Sequence, residues 1–284
     1  MTVVVRSVGW ISGGIETETT AGEAFAEVPE VLSEVVVRPA RFDVAALFST
    51  PPDRLARMDR ICHLSLAAAK IALDRAGPPL PGPVAVVVES GLATIGTNDA
   101  YFRKLLRRGP RGVDPKRFPY TSPNAAAGEI AIAFGLDGPN LAIPGGFTGG
   151  LVALSTADGL LRAGRAACAV VVGADALSLA AVAWLAFSGE GIDPPGEAGV
   201  AMVLSQGGEG PGLCDVREAF DPSEGRQVDP YGDDLSAFGD LPGSAGLLAL
   251  ARAFEAGRAG QVAIRGSDGL SVCASLTPRS GPSR

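Results

Sequence analysis

The sequence has 284 residues, 46% of them hydrophobic and 19% charged, a composition that excludes a disordered chain and predicts a sizeable folded core. Its 24 basic and 31 acidic residues give a net charge of −7, so we expect no nucleic acid among its partners. The single histidine excludes a two-histidine metal site and any mechanism that needs two imidazoles, and neither a metal nor a cofactor is predicted.

Short β-branched segments alternate along the chain with Ala- and Leu-rich segments of helical period, a pattern typical of an α/β fold whose parallel strands are buried on both faces. Strands are predicted, in chain order, at residues 2–8, 84–89, 140–143, 169–173, 199–205, 261–264 and 270–276. Helices are predicted between them at residues 58–76, 97–108, 124–134, 148–163 and 244–256. The segment 206–242, rich in Gly, Pro and Asp, is predicted to be a loose connection.

The apolar segments do not indicate export or a membrane partner. Residues 1–14 lack a basic region followed by a long apolar stretch, so no signal peptide is predicted. The apolar run 166–187 contains Asp175 and a β-branched segment, which favours a strand, a turn and a buried helix over a membrane span. Four cysteines without CxxC spacing are predicted to be reduced thiols of a cytoplasmic protein, namely Cys62, Cys168, Cys214 and Cys273.

The most specific pattern lies in residues 138–178, GPNLAIPGGFTGGLVALSTADGLLRAGRAACAVVVGADALS. It predicts a strand, a Gly-rich elbow, a helix whose first turn has small residues, and a second buried strand that ends in Gly-Ala-Asp. Such an elbow places the residue at its tip against a helix N-terminus, where backbone N–H groups can stabilise a thiolate or an oxyanion.

This stretch resembles the β-ketoacyl synthases, the condensing enzymes of fatty-acid and polyketide assembly, which have the thiolase fold. The pair Gly138-Pro139 and the helix residues 151–154 match the family, and Asn124 is in register. The resemblance implies a layered α/β/α/β/α fold that is truncated in its C-terminal half. It divides the chain into a ketosynthase-like half at 1–205, a shortened connecting segment at 206–242, and a residual closing helix and hairpin of the same domain at 243–278.

The residues that carry the family's chemistry are missing. The family uses a Cys on this elbow together with two histidines and a lysine, whereas Phe147 occupies the Cys position here and no histidine follows His63. Thr148 could offer a hydroxyl, but without a neighbouring base we expect it to satisfy backbone donors at the helix start. His63 falls on the polar side of its predicted helix and is expected to be solvated. No catalytic residue of the family is therefore predicted.

The resemblance then implies a catalytically silent subunit of the chain-length-factor type, which pairs with an active β-ketoacyl synthase and shapes its acyl tunnel. In that reading the strand 140–143 forms the pairing interface, Asn124 lies beside it, and Phe147 and Thr148 lie in the vestigial pocket. Two alternatives stay open. One is an active acyltransferase or condensing enzyme with a rebuilt site, and the other is an acyl-binding structural subunit without turnover.

Seven basic residues against one acid between residues 103 and 117 reverse the charge of the chain locally. They are Arg103, Lys104, Arg107, Arg108, Arg111, Lys116 and Arg117. The segment is either a solvated helix end with its loop or a docking surface for an acidic partner. In the resembled family the acidic partner is the acyl carrier protein.

Overall fold

A computed structural model describes residues 2–48, 52–188, 194–207, 212–220, 227–230, 241–265 and 270–277. Its strands are β1 (Val3–Ser12), β2 (Thr19–Thr20), β3 (Val36–Val37), β4 (Val84–Glu89), β5 (Asn140–Ile143), β6 (Cys168–Asp175), β7 (Ala198–Gln206), β8 (Gly212–Phe220), β9 (Gln227–Pro230), β10 (Gly260–Arg265) and β11 (Leu270–Leu276). Its helices are α1 (Ala21–Ala24), α2 (Glu30–Ser33), α3 (Val44–Leu47), α4 (Pro52–Leu55), α5 (Arg60–Ala76), α6 (Ile95–Arg108), α7 (Ala125–Phe134), α8 (Gly149–Arg162), α9 (Leu179–Ser188) and α10 (Ala245–Glu255). Single 3₁₀ turns lie at Ile15–Thr17, Pro110–Gly112, Phe118–Thr121 and Gly146–Thr148.

Nine strands form one sheet in the order β5-β4-β6-β7-β1-β8-β11-β10-β9, and β2 and β3 form a separate pair. The strands β5, β4 and β6 are parallel, and the helices α6, α7 and α8 lie in the crossovers between them. The other neighbouring strands of this sheet are antiparallel. The prediction of parallel strands is therefore wrong outside β5-β4-β6, because an antiparallel strand covered on both faces shows the same continuous apolar run.

The sheet folds around two central helices. Helix α8 contacts β4 and β6 on one side and β8 and β11 on the other, and α10 likewise contacts both β7 and β10. Helices α5 and α7 cover the opposite face of β4, β6, β7 and β1. The described residues thus supply the first four of the predicted α/β/α/β/α layers, and the two central helices bring the elbow into the middle of the molecule.

Side-chain alternation on the buried strands fills two separate cores. In β4, Val84, Val86 and Val88 face α5 and α7, whereas Ala85 and Val87 face α8 and α10. All five side chains are almost completely buried. Full burial of a valine stabilises by roughly 1.5–3 kcal/mol, so a charged residue in such a strand needs a specific reason.

The segment 206–242 requires a correction, because it supplies two strands to the sheet rather than a loose connection. Strand β8 pairs with both β1 and β11, and β9 pairs with β10 at the far edge. Backbone pairing at this side of a sheet does not require a continuous apolar run, so hydrophobicity alone did not reveal it. The predicted closing helix and hairpin are observed as α10 and the antiparallel pair β10–β11. The hairpin turn at 266–269 lies outside the described residues.

The long helices agree with prediction to within about two residues at each end. Helix α5 begins at Arg60 rather than at 58, because the Asp59 carboxylate accepts a hydrogen bond from the Ile61 N–H and caps the helix. It ends at Ala76, and the following Gly77 has a φ of 71°, in the left-handed region that favours glycine. The short helices and strands between residues 15 and 47 were not predicted, since none is long enough to show a period.

The buried Cys62 and Cys168 are free thiols, as predicted. Cys62 and Cys168 are buried and Cys273 is half-buried, and burial raises the pKa of the Cys62 thiol well above its ordinary value. The Cys214 side chain lies outside the described residues. Within the described chain, no helix has the length and apolar content that a membrane crossing requires.

Candidate functional site

The Gly-rich elbow is built as predicted, between the end of β5 and the start of α8. The 3₁₀ turn Gly146–Thr148 leads directly into the helix. Gly146 has a φ of 55°, and a Cβ at Gly145 would lie 2.6 Å from the Gly149 Cα, so the turn requires glycine at these two points. The turn places Phe147 in the central core, 7% exposed, next to α8 and to strands β10 and β11.

Thr148 does not cap α8. Its side chain is buried, and its Oγ1 donates a hydrogen bond to the Gly145 carbonyl at 3.3 Å, whereas no backbone N–H of the helix donates to it. The prediction of a capping threonine is therefore wrong, because the tight turn directs the hydroxyl back into the elbow. The hydroxyl is bound to a carbonyl, which is not a base that could activate it.

Glu89, the last residue of β4, lies under the elbow and was missed by sequence reasoning. Its side chain is fully buried. A Cβ built on Gly149 would lie 2.3 Å from the Glu89 Oε1, and one built on Gly243 would lie 2.0 Å from its Oε2. The carboxyl group therefore fills the space between the elbow and the turn before α10. The signal that could have found it is a single acid at the end of the apolar run VAVVVE.

Asp175, at the end of β6, holds the turn before α10 against the sheet. Its Oδ1 accepts from the Gly243 N–H at 2.8 Å, and its Oδ2 accepts from the Ser244 N–H at 2.7 Å and from the Ser244 hydroxyl at 2.6 Å. All three residues are buried. The predicted Gly-Ala-Asp ending thus fixes the loop that closes over Glu89.

The two acids differ in environment. Burial raises the pKa of Glu89 well above its usual range, the negative charge of Asp175 raises it further, and the Gly145 amide opposes the shift. Neither Glu89 oxygen makes a hydrogen bond of good geometry with a described residue. The site under the elbow therefore holds one carboxyl group that is bound by three donors and one whose ionisation is disfavoured by burial.

His63 lies on α5, across the sheet from the elbow, and cannot act at the elbow. Helix α5 packs on the opposite face of the sheet from α8. The ring is half-buried rather than solvated, since its Nε2 lies 2.9 Å from the Leu55 carbonyl oxygen, and burial lowers its pKa. The expectation of a solvated histidine is corrected because the short helix α4 folds back over this turn of α5.

Four of the seven predicted basic residues line one cavity of about 620 Å³ beside α6. They are Arg103, Lys104, Arg107 and Arg108, and Arg103 is also paired with Asp99 at 2.7 Å. The other wall comes from Ala26, Glu27 and Leu179. Outside this cavity lie the exposed residues Arg111, Lys116 and Arg117.

An apolar surface lies next to the open edge of the sheet. Strand β5 is an edge strand, and Leu141 on it is 37% exposed. The elements β5, α7, the turn Phe118–Thr121, α6 and α9 contact one another in this order. They carry seven of the nine large hydrophobic side chains that are exposed in the described part of the chain. These seven, which we call the apolar edge surface, are Phe102, Leu106, Phe118, Ile132, Leu141, Trp184 and Phe187.

Asn124 directly precedes α7, one of the elements that carry the apolar edge surface. Its side chain is exposed, and its Oδ1 accepts a hydrogen bond from the Ser122 hydroxyl at 2.6 Å. On the neighbouring strand, the Asn140 Nδ2 donates to the Ala127 carbonyl at 2.9 Å and ties β5 to α7. The structure thus places Asn124 on the helix beside β5, apart from the buried pair Phe147 and Thr148.

Comparisons with known proteins agree with this geometry. The 3-oxoacyl-[acyl-carrier-protein] synthase 2 of Vibrio harveyi is 33% identical over 126 residues, which are 43% of this chain but only 30% of that enzyme. Among solved structures, the ishigamide ketosynthase/chain length factor has a TM-score of 0.79 at 21% identity, covering 99% of this chain and 100% of the matched one. A structure of AntDE:AntF, a type II polyketide synthase acyl-carrier protein in complex with its ketosynthase, has a TM-score of 0.74 at 16% identity, covering 98% and 99%.

The fold comparisons confirm the predicted thiolase-like ketosynthase fold. A family model described as the N-terminal domain of beta-ketoacyl synthase matches residues 16–204, which include β4, the elbow, α8 and β6. The resemblance inferred from the elbow is thereby confirmed, and the chain belongs to the beta-ketoacyl synthase family.

Proposed function

We propose that this chain is a catalytically silent ketosynthase-like subunit of the chain-length-factor type, which pairs with an active β-ketoacyl synthase and shapes its acyl tunnel. The observation that carries the proposal is the buried Phe147 ring at the tip of the elbow. A phenyl ring has no nucleophilic atom, so no acyl group can be transferred to this position. The hydroxyl beside it, on Thr148, is held by a backbone carbonyl.

The absence of an acid–base partner supports the same conclusion. The only histidine of the sequence lies on α5, on the other face of the sheet. The ionisable side chains described under the elbow are Glu89, which is buried without a hydrogen bond of good geometry, and Asp175, which is bound by three donors. Neither group can replace the paired histidines that the family uses to stabilise an oxyanion.

Pairing is supported by the open edge of the sheet. An edge strand such as β5, which among the described strands pairs only with β4, can add a strand from another chain along its outer edge. Apolar side chains on the elements that follow one another from β5 to α9 give this edge a hydrophobic surround. The ishigamide ketosynthase/chain length factor, which shares this fold, is named for such a pair. We infer that the partner covers the apolar edge surface.

Helix α6 has an apolar exposed side and a basic exposed side, which we assign to two different partners. Because an α-helix turns by about 100° per residue, Phe102 and Leu106 lie on one exposed side, and the basic residues that line the cavity lie on another. Tyr101 and Leu105, between these two sides, are half-buried against the body. We infer that the basic side receives an acidic acyl carrier protein while the apolar side is covered by the ketosynthase.

The decisive experiment is co-expression with a Cys-containing β-ketoacyl synthase encoded beside this chain. We expect a stable 1:1 complex by size-exclusion chromatography with mass determination, and condensation activity only in the complex. Mass spectrometry of the chain after incubation with acyl carrier substrate should show no covalent acylation. A chain that stays alone and becomes acylated would instead be an active acyltransferase with a rebuilt site.

Restoring the nucleophile alone should restore no chemistry. We expect the Phe147→Cys variant, purified without a partner, to form no condensation product above the level of the wild-type chain, because a thiol at this site has no histidine beside it. Product is measured by mass spectrometry with acyl and malonyl carrier substrates, and an intact ketosynthase serves as the positive control. Measurable product from the variant would contradict the claim that the chain is inactive because it lacks the family's catalytic histidines.

Reversing charge on the cavity side of α6 should weaken carrier binding. We expect Arg107→Glu with Arg108→Glu to lower the affinity of the complex for acyl carrier protein about tenfold or more at low salt, and less at high salt. The matched control is Arg111→Glu with Lys116→Glu, which makes the same change of charge outside the cavity and should alter affinity by less than about threefold. An equal loss of affinity in both double variants would show that net charge, and not the cavity, determines carrier binding.

A further inference from the structure

The Glu89 carboxyl group is the least explained polar group of the described chain. It is fully buried at the end of a strand whose other residues are Val and Ala. An unpartnered carboxyl in such a place costs several kcal/mol even when it is neutral, relative to an apolar side chain of the same shape. A cost of this size is retained in a fold only where the side chain does something that a smaller or apolar one would not do.

The surroundings of Glu89 are shaped to its side chain. The three atoms nearest to a Cβ at Gly149 all belong to Glu89, at 2.3 to 2.6 Å, and the same is true at Gly243, at 2.0 to 2.5 Å. Neither glycine has a positive φ, so the backbone at these positions would accept an alanine. Glycine is therefore required at these two positions by the presence of Glu89 and not by a positive φ.

We propose that Glu89 is an internal plug of the elbow, which fills the hollow between α8 and the turn before α10 and closes the site below position 147. Phe147 closes it from within the elbow, and Glu89 closes it from the sheet. The inference rests on the proposed function only in taking position 147 as the nucleophile position. It implies that two side chains, Phe147 and Glu89, block the site, and that a nucleophile introduced at position 147 would still have no room for a substrate beside it.

The test compares the alkylation rate of a thiol at position 147 in three backgrounds. In this reaction the thiolate sulfur displaces iodide from iodoacetamide and the thiol proton goes to solvent. We expect Phe147→Cys with Glu89→Gly to be alkylated about tenfold or more faster than Phe147→Cys alone, because removing the plug leaves room for the reagent. The isosteric control, Phe147→Cys with Glu89→Gln, should stay within about threefold of the single variant, since the side-chain volume is kept. Rates are read at this site by mass spectrometry of the peptide.

Two results would overturn the plug. If Glu89→Gln accelerates the reaction as much as Glu89→Gly, charge rather than volume protects the site. If neither accelerates it, the carboxyl does not close the site at all. Because neither measurement needs a partner, a failure here leaves the pairing proposal standing, and a missing complex leaves the plug standing.

A second measurement covers the case in which the Cys variants do not fold. We expect Gly243→Ala to lower Tm by roughly 5 °C in the wild-type background, because the new methyl group would overlap the Glu89 carboxyl. In the Glu89→Gly background the same substitution should lower Tm by less than about half as much. Equal losses in both backgrounds would show that Glu89 and Gly243 do not share this space.

Discussion

A chain that carries Leu141→Asp should no longer form a 1:1 complex with its co-expressed ketosynthase. The side chain lies on the edge strand β5, half-exposed, in register with Val87 of β4. Pairing with a partner strand would bury a carboxylate with no cation beside it, which costs several kcal/mol, so we expect an affinity loss of about a hundredfold or more. Size-exclusion chromatography of the co-expressed pair measures the loss.

The matched control is Val31→Asp. Val31 is 69% exposed on α2 and lies outside the apolar edge surface, so the same new charge should leave the complex intact. As isolated subunits both variants should stay folded: we expect Leu141→Asp to lower the free energy of unfolding by about 2 kcal/mol or less, because the Leu141 side chain is partly buried, and Val31→Asp by less than about 1 kcal/mol. An intact complex with Leu141→Asp, or its loss with Val31→Asp, would place the partner elsewhere on the molecule.

Glu197→Ala should be the most destabilising change of a charged residue at the carboxyl end of the sheet. The Glu197 carboxylate is 4% exposed and accepts four hydrogen bonds at 2.9 to 3.1 Å. Two come from the Arg60 guanidinium, and two come from the backbone N–H groups of Ala40 and Leu177. Its loss leaves two buried amides without an acceptor and removes two of the hydrogen bonds of the Arg60 guanidinium, which keeps its bond to the Ala40 carbonyl, so we expect the free energy of unfolding to fall by about 3 kcal/mol.

The matched control is Asp74→Ala, which removes a carboxylate that pairs with Lys70 at 2.7 Å on the surface of α5 and is 62% exposed. At such a site we expect a loss of about 1 kcal/mol or less. Chemical denaturation of the two variants and of the wild-type chain measures both values. Similar losses at the two sites would mean that the four bonds to Glu197 do not act as one buried network.

The parts of the fold that sequence reasoning predicted are those with a strong period. Val84–Glu89 and Arg60–Ala76 show continuous apolar character or a helical stripe over enough residues to exclude alternatives. The missed strands β8 and β9, GLCDVREAF and QVDP, carry charged residues that interrupt any continuous apolar run. The hydrophobic pattern also could not predict strand direction, since a strand buried on both faces has the same apolar run whether its neighbours are parallel or antiparallel.

The backbone shape of the candidate site was predictable from the sequence, but the contacts of its buried side chains were not. The elbow and the position of Phe147 followed from the Gly-rich spacing and the family resemblance, because glycine spacing is dictated by local backbone geometry. Glu89 did not follow, since its meeting with Gly149 and Gly243 joins positions that are far apart in the sequence. The capping expectation for Thr148 failed for a related reason, since the hydroxyl's partner depends on how tightly the turn closes.

The central place of β1 in the sheet has a consequence for how the chain acquires its structure. This first strand pairs along its whole length with β7, and its start also pairs with β8, so that Val3 faces both Gln206 and Leu213. Contacts of such long sequence separation slow folding, because the loop entropy is lost before the contacts form. During synthesis one edge of β1 therefore stays open until the ribosome has released β7, and the other until it has released the start of β8 at residues 212 and 213. Until then the nascent chain exposes an open strand edge on β1 that can pair with the wrong strand. We therefore expect association with a partner to follow the pairing of β1 with β7 and β8.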